Sequence, residues 1–252
     1  MHINIFGAGS AIAQAAARTW AKQGASFTLL DRSQEHLDIV AADLRTRGAG
    51  QVHTIAVNLA DISIHANLIP QIHNSAPQNI DHAVYLFAYG TLGDQKSGEA
   101  NFAAAQQEIT TNFTSVASLI TEIANHFDRE PRSQRATIAA ISSVAGDRGR
   151  GSNYIYGTAK GALALWLAGL RNRLTRAGSS IHVLTIKPGF VDTPMTAAFK
   201  KGLLWAKPET VGADIVRAVR QQRDILYTPW FWRYIMLAIK AIPERVFKKM
   251  SL

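Results

Sequence analysis

The 252-residue chain has no cysteine, so disulfides, thiolate catalysis and cysteine-ligated zinc are excluded from its chemistry. Its eight histidines show no H-E-x-x-H or similar ligand spacing, and no metal site is expected. Polar His2 and Asn4 precede a glycine turn, and no apolar run before it reaches the length of a secretory core segment. A signal peptide is therefore not expected, and a cytoplasmic location is. Internal repeats and low-complexity tracts are also missing, and nothing in the length calls for a second folded domain. Acidic residues are the scarcer charge: 18 Asp and Glu stand against 27 Lys and Arg, a net +9. Residues 1–80 are balanced, whereas residues 181–252 carry 12 basic and 5 acidic side chains. The basic residues near the end alternate with Trp, Phe, Tyr and Ile. That pattern suits a membrane surface better than a nucleic acid, and no nucleic-acid-binding module accompanies it.

What is present is a regular alternation. Seven strand-like runs, "INIF", "SFTLL", "QVHTIAV", "HAVYLFA", "ATIAAIS", "IHVLTIK" and "DILYT", are separated by Ala- and Leu-rich or amphipathic stretches of helix length. Several runs are almost continuously apolar, as strands of a parallel sheet covered on both faces must be. The expected fold is α/β: one doubly wound parallel sheet over residues 1–228, followed by an aromatic and basic amphipathic helix in 229–252. Ligands should bind beside the first strand, at the switch point of the sheet.

The first run leads into "FGAGSAIAQAAAR". A strand, a small-residue bend and a helix start in that order offer free N–H groups to a pyrophosphate, and Gly7 and Gly9 permit its approach. The G-x-G-x-x-G fingerprint fails at Ile12, and an alanine-rich helix packed on a sheet explains the same letters. Asp31, about 20 residues past the turn at the end of the second strand, can accept hydrogen bonds from an adenosine ribose, which favours NAD(H). Arg32 beside it is suited to a 2′-phosphate, the feature of NADP(H).

"ISSVAGDRGRGSNYIYGTAKGAL" carries the chemistry. Tyr156 and Lys160 stand four apart at a helix start, on one face. An ammonium held near a phenol lowers its pKa toward the range of proton exchange with an alcohol or ketone, and Ser143, at a strand end, can donate to a developing oxyanion.

With these residues in this order, the chain resembles the short-chain dehydrogenase/reductase superfamily over nearly its whole length. "FGAGSAIA" resembles that family's T-G-x-x-x-G-x-G turn, with Phe6 in place of threonine and Ala11 and Ala13 in place of the later glycines. "NLAD" resembles its adenine-binding D-x-x-D, with Asn58 for the first aspartate, and "FAYG" keeps only Gly90 of N-N-A-G. "KPGFVDTPM" resembles the P-G loop after the sixth strand. The resemblance implies a dinucleotide lined by Gly7, Gly9, Ser10, Ala11, Ile12, Asp31, Arg32, Asn58, Leu59, Gly90, Tyr156, Lys160, Pro188, Gly189, Val191 and Thr193. It implies Tyr156 as acid–base, Lys160 tuning it and holding the nicotinamide ribose, Ser143 orienting the carbonyl, and Asn112 holding a water of the proton relay. Homo-oligomers are common in the family.

Within the superfamily, the segment from Ser142 to Lys160 together with "YGTLGDQ" is similar to the decaprenylphosphoryl-2-keto-erythro-pentofuranose reductase group. That similarity implies reduction of a lipid-linked keto sugar, with a separate oxidase supplying it in a two-step epimerisation. Arg148 and Arg150, between Ser143 and Tyr156, are placed to pair with a phosphate, or else to form a loop salt bridge with Asp147. Drawn as one helix from Trp230, the end of the chain puts Arg233, Lys240, Glu244 and Lys248 on a narrow stripe beside a wide apolar face. The thirteen-residue stretch from Trp230 to Ile242 is too short to span a bilayer, so residues 229–249 are expected to lie on a membrane, cover the cleft or form a dimer interface. Two other functions fit the same letters: a reductase of a soluble or acyl carbonyl, and a nucleotide-binding regulatory protein without turnover.

Overall fold

The computed structural model of the protein describes residues 1–78, 80–129 and 135–250; the last two positions of the 229–252 segment lie outside the described residues. All seven expected runs are strands: β1 (His2–Phe6), β2 (Ser26–Asp31), β3 (Val52–Ala56), β4 (His82–Phe87), β5 (Arg135–Ile141), β6 (Ile181–Pro188) and β7 (Ile225–Thr228). They form one parallel sheet in the order β3-β2-β1-β4-β5-β6-β7. The order reverses between β1 and β4, which opens a crevice at their C-terminal ends.

The helices are α1 (Ala11–Ala21), α2 (Gln34–Thr46), α3 (His65–Ser75), α4 (Gln95–Ala100), α5 (Phe102–Ile109), α6 (Ser115–Arg129), α7 (Tyr154–Arg176), α8 (Pro208–Arg220), α9 (Trp232–Ala241) and α10 (Glu244–Phe247). On one face of the sheet α1, α2 and α8 pack over Ile3, Ile5 and Leu29, with Trp20 at the centre. On the other, α3, α6 and α7 pack over Phe6, Phe87 and Ile138, where the Phe6 and Phe87 rings stack at 4.4 Å. Covered on both faces, every residue of β1 is buried. Each of its polar members has one partner, His2 Nε2 lying 3.0 Å from Thr28 Oγ1 and Asn4 Nδ2 donating to Val84 O, while His2 Nδ1 and Asn4 Oδ1 accept or donate no hydrogen bond among the described residues.

The end of the chain departs from the expected single amphipathic helix. It forms two short helices, because Pro243 has no N–H to donate and forces Ile242 into an extended conformation. Between them the chain turns back on the body, and Trp232 and Met236 of α9 pack with Val144 in a third apolar cluster.

Candidate active site

The bend after β1 is drawn tight by two hydrogen bonds, from the Gly7 and Ala8 N–H groups to Leu30 O, at 2.9 and 3.0 Å. Gly7 has φ +92°, and a Cβ there would stand 2.6 Å from the Tyr89 backbone nitrogen. Glycine is thus required twice, by conformation and by the approach of the chain after β4. Ser10 caps α1, its hydroxyl accepting from Ala13 N–H, and Ala11 and Ile12 open the helix. The N–H groups of the first turn face the crevice end of the sheet, the placement a pyrophosphate needs. Asp31 closes β2 beside this bend: one carboxylate oxygen accepts from Gly9 N–H at 2.8 Å, the other from Arg32 N–H at 2.7 Å. The Arg32 residue itself is exposed. Asn58 is exposed past the end of β3, its side chain accepting from Ala60 N–H, while Leu59 is buried. These residues fit a dinucleotide: a helix start free of bulk, then a carboxylate one strand away.

The second half of the site hangs on β4, β5 and α7. A single wide turn, Thr110–Thr114, joins α5 to α6 through a hydrogen bond from Ser115 N–H to Thr110 O, and it buries Asn112 completely. The Asn112 amide donates to Thr91 O at 2.8 Å and accepts from Thr91 N–H at 3.2 Å, fixing the loop after β4. A Cβ on Gly90 would stand 2.5 Å from Asn112 Oδ1 and 3.3 Å from Lys160 Nζ, so glycine lets these groups meet. Lys160 is buried and donates to Ile141 O at 3.0 Å.

Burial lowers Lys160 to about 8, against the pull of the Glu108 carboxylate, which raises it. Tyr156, four residues earlier on α7, has its phenol pushed up to about 12 by burial, with Ser143 drawing it down and Glu108 adding to the rise. The Lys160 ammonium lies 5.8 Å from the Tyr156 ring centroid and turns toward the Ile141 carbonyl. Ser143 ends the strand side of the site, its hydroxyl accepting from Ala145 N–H.

Pro188, the last residue of β6, and Val191 beyond it are buried, and Thr193 is half-buried, its N–H donating to Thr196 Oγ1. Gly189 lies against α9: a Cβ there would overlap the Trp232 indole. Trp232 is a contact of this loop that the sequence did not signal.

Arg148 corrects the phosphate expectation. Its guanidinium donates to the Ile239, Lys240 and Ile242 carbonyls, pairs with Glu244 and sits 3.6 Å over the Phe247 ring. It caps α9 and anchors α10 to the loop that follows Ser143, so it is not free for a phosphate. Asp147 is likewise engaged elsewhere, buried against the Lys187 ammonium and the Tyr227 hydroxyl, which donates at 2.7 Å. Arg150 is half-buried; burial lowers its pKa, and no partner for it is found among the described residues. Glu108 was also missed, although its position four residues before Asn112 places it on the same helical face.

The family model for short chain dehydrogenases matches residues 1–203. An uncharacterized oxidoreductase of Mycobacterium tuberculosis is 32% identical over 246 residues, covering 98% of this chain and 95% of its own. Another, from Streptomyces coelicolor, is 29% identical and covers 98% and 94%. Among solved structures, a short-chain dehydrogenase from Sphingobium yanoikuyae in complex with NADPH superposes with a TM-score of 0.77 at 19% identity, covering 96% of each chain. A 3-oxoacyl-[acyl-carrier protein] reductase from Brucella melitensis in complex with NAD gives 0.74 at 20% identity, covering 90% of this chain and 94% of its own.

Proposed function

The chain belongs to the short-chain dehydrogenase family, and from that premise we propose that it is an NAD(P)(H)-dependent reductase that turns a ketone into an alcohol. The observation that carries the reading is geometric: a Cβ on Gly90 would stand 3.3 Å from Lys160 Nζ and 2.5 Å from Asn112 Oδ1, and the same ammonium lies 5.8 Å from the Tyr156 ring centroid. The phenol, whose pKa burial raises, is the proton donor of the site. Ser143 orients the carbonyl oxygen toward it, and the phenol passes its proton to that oxygen as negative charge develops there. Lys160, buried beside Gly90, supplies the positive charge that supports the phenolate left behind. Asn112 holds the Thr91 loop that closes this corner. A nicotinamide held by these residues would supply the hydride to the carbonyl carbon.

On this reading Gly7, Gly9, Ser10, Ala11 and Ile12 receive the pyrophosphate, Asp31 the adenosine ribose, and Asn58 and Leu59 the adenine. Gly90, Pro188, Gly189, Val191 and Thr193 line the nicotinamide end. Asp31 favours NAD(H), while exposed Arg32 beside it leaves NADP(H) as the alternative.

The substrate we assign is the 2-keto group of a polyprenyl-phosphate-linked pentofuranose. Arg150 supports it, since a half-buried guanidinium without a partner among the described residues is matched by a phosphate that can take two of its N–H groups. The rim supports it as well. Phe190, Met195, Phe199 and Leu203, in the stretch after β6, are exposed, as are Trp230, Tyr234 and Leu237 at α9. Lys200, Arg233 and Lys240, which alternate with them along the sequence, are exposed too. An exposed apolar patch with basic residues is the form of a peripheral membrane contact. No helix among the described residues is long and apolar enough to cross a membrane.

The test is oxidation of NADH and NADPH, followed optically with the lipid-linked keto sugar in detergent and with the free keto-pentose. Turnover of the lipid-linked form alone supports this substrate and decides the cofactor. Nucleotide binding without turnover of either sugar removes the substrate assignment.

A further inference from the structure

A buried ion pair joins the loop after β5 to the end of β6. Asp147, its side chain 2% exposed, closes the turn Val144–Asp147 that follows Ser143. Its Oδ1 accepts from the Lys187 ammonium, on a side chain 13% exposed, and its Oδ2 accepts from the Tyr227 hydroxyl at 2.7 Å. Lys187 immediately precedes Pro188 and Gly189, and Tyr227 is its register partner on β7. The Lys187 ammonium also lies 5.4 Å from the Tyr227 ring centroid.

The other side of the same turn is fixed to α7. Ser142 donates to Lys160 O at 2.7 Å, and a Cβ on Gly146 would stand 2.5 Å from Gly161 N, so main chain lies directly on main chain. Those contacts hold the turn to α7 but do not reach β6 or β7, which Asp147 does. Stability alone is a weak reason for two buried charges. Taking them out of water forfeits hydration that their attraction only partly returns, and an uncharged pair of similar shape would hold the fold as well. What a carboxylate adds is direction, since its two oxygens receive two donors from adjacent strands at fixed positions.

We propose that Asp147 is a positioning residue whose bonds to Lys187 and Tyr227 hold the Ser143 turn and the Pro188–Gly189 loop in fixed register. On the reductase reading, on which its functional meaning rests, Ser143 faces the carbonyl and the Pro188–Gly189 loop faces the nicotinamide. The ion pair then sets how far the carbonyl carbon lies from the hydride. Rate is steep in that distance, a misplacement of about 1 Å costing on the order of 10²-fold.

The test is amide hydrogen exchange of the full chain, read residue by residue by NMR, and it needs neither nucleotide nor substrate. Gly146 N–H, bonded to Ser143 O at 3.1 Å, reports the turn, and Gly189 N–H, bonded to Thr228 O at 3.1 Å, reports the loop. Asp147→Asn combined with Lys187→Met removes both charges and leaves Tyr227 an acceptor, so the urea midpoint should hold. Exchange is expected to quicken about tenfold or more at both Gly146 and Gly189, with Ile5 and Leu86 in the central strands unchanged. Faster exchange at one loop alone, at neither, or equally at Ile5 and Leu86 overturns the proposal. Should the double variant not fold, Tyr227→Phe decides. It takes one hydrogen bond from Asp147 and should quicken exchange at both loops about threefold or more, whereas a change at one or neither overturns the proposal. In turnover the double variant should lose about 10–10²-fold in kcat with nucleotide affinity little changed, and full kcat would overturn the role in catalysis. A wild type without turnover would remove the reductase reading and leave the exchange result standing.

Discussion

At the floor of the site polar groups are sunk among strands, Asn112 at 0% exposure, whereas at the rim Trp230, Tyr234 and Leu237 are 72%, 61% and 64% exposed. Each arrangement is costly by itself. Burying an ammonium and a carboxylate forfeits hydration, and holding aromatic side chains in water forfeits apolar burial. The floor meets its cost internally, by Lys160 donating to the Ile141 carbonyl and by the Asn112 amide bonds to Thr91. At the rim the Trp230 ring meets only Phe231 and Tyr234 among the aromatic rings of the described residues, and a surface outside the molecule would cover the faces left in water. Arg148 ties the two together, since it belongs to the loop after Ser143 and caps the helix that carries the rim.

If the floor serves chemistry and the rim serves association, changes should separate along that line. The largest effect is at the floor: Ser143→Ala is expected to lower kcat by about 10²–10³-fold with the loss of an oxyanion donor. Its cost in stability, from the lost bond to Ala145 N–H, is about 1 kcal/mol in urea unfolding. A comparable loss of stability would blur the comparison.

The tie between the regions comes next. Arg148→Ala strands α9 carbonyls that its guanidinium now satisfies and should cost about 2–3 kcal/mol in urea unfolding. Glu244→Gln, removing the exposed half of the same ion pair, should cost no more than about 0.5 kcal/mol. Equal effects would mean that the ion pair, rather than the cap, holds the segment. Gly189→Ala drives a methyl into Trp232 and is expected to cost about 1–3 kcal/mol by overpacking, measured the same way.

At the rim, Leu237→Glu should leave stability within about 0.5 kcal/mol while weakening binding to anionic vesicles roughly tenfold in a sedimentation assay. Unchanged vesicle binding would detach the rim from the membrane.

All seven strands were readable because a parallel sheet buried on both faces leaves long apolar runs, as in "HAVYLFA" and "IHVLTIK". The glycine bend was readable because Gly7 must take a positive φ beside Tyr89. Arg148 was misread because its partners lie more than 90 residues away, and no local pattern signals a guanidinium that caps a distant helix. Pro243 was visible in the sequence, yet the hydrophobic stripe on either side of it continued the helical period and masked the break. Glu108 was hidden for another reason. Its helical spacing from Asn112 was local, but its burial against Gly93 depends on how the loop after β4 folds onto α5. Tyr156 was recognised by its spacing from Lys160, while its protonation depended on burial, which spacing does not encode.

The most direct test of the central claim is nucleotide oxidation by wild type and Tyr156→Phe, side by side, with the polyprenyl-phosphoryl 2-keto-pentose as substrate. The account predicts one alcohol formed per reduced nucleotide consumed by the wild type, and a loss of about 10²–10⁴-fold in Tyr156→Phe with nucleotide affinity little changed. Equal consumption by both proteins would contradict Tyr156 as the proton donor.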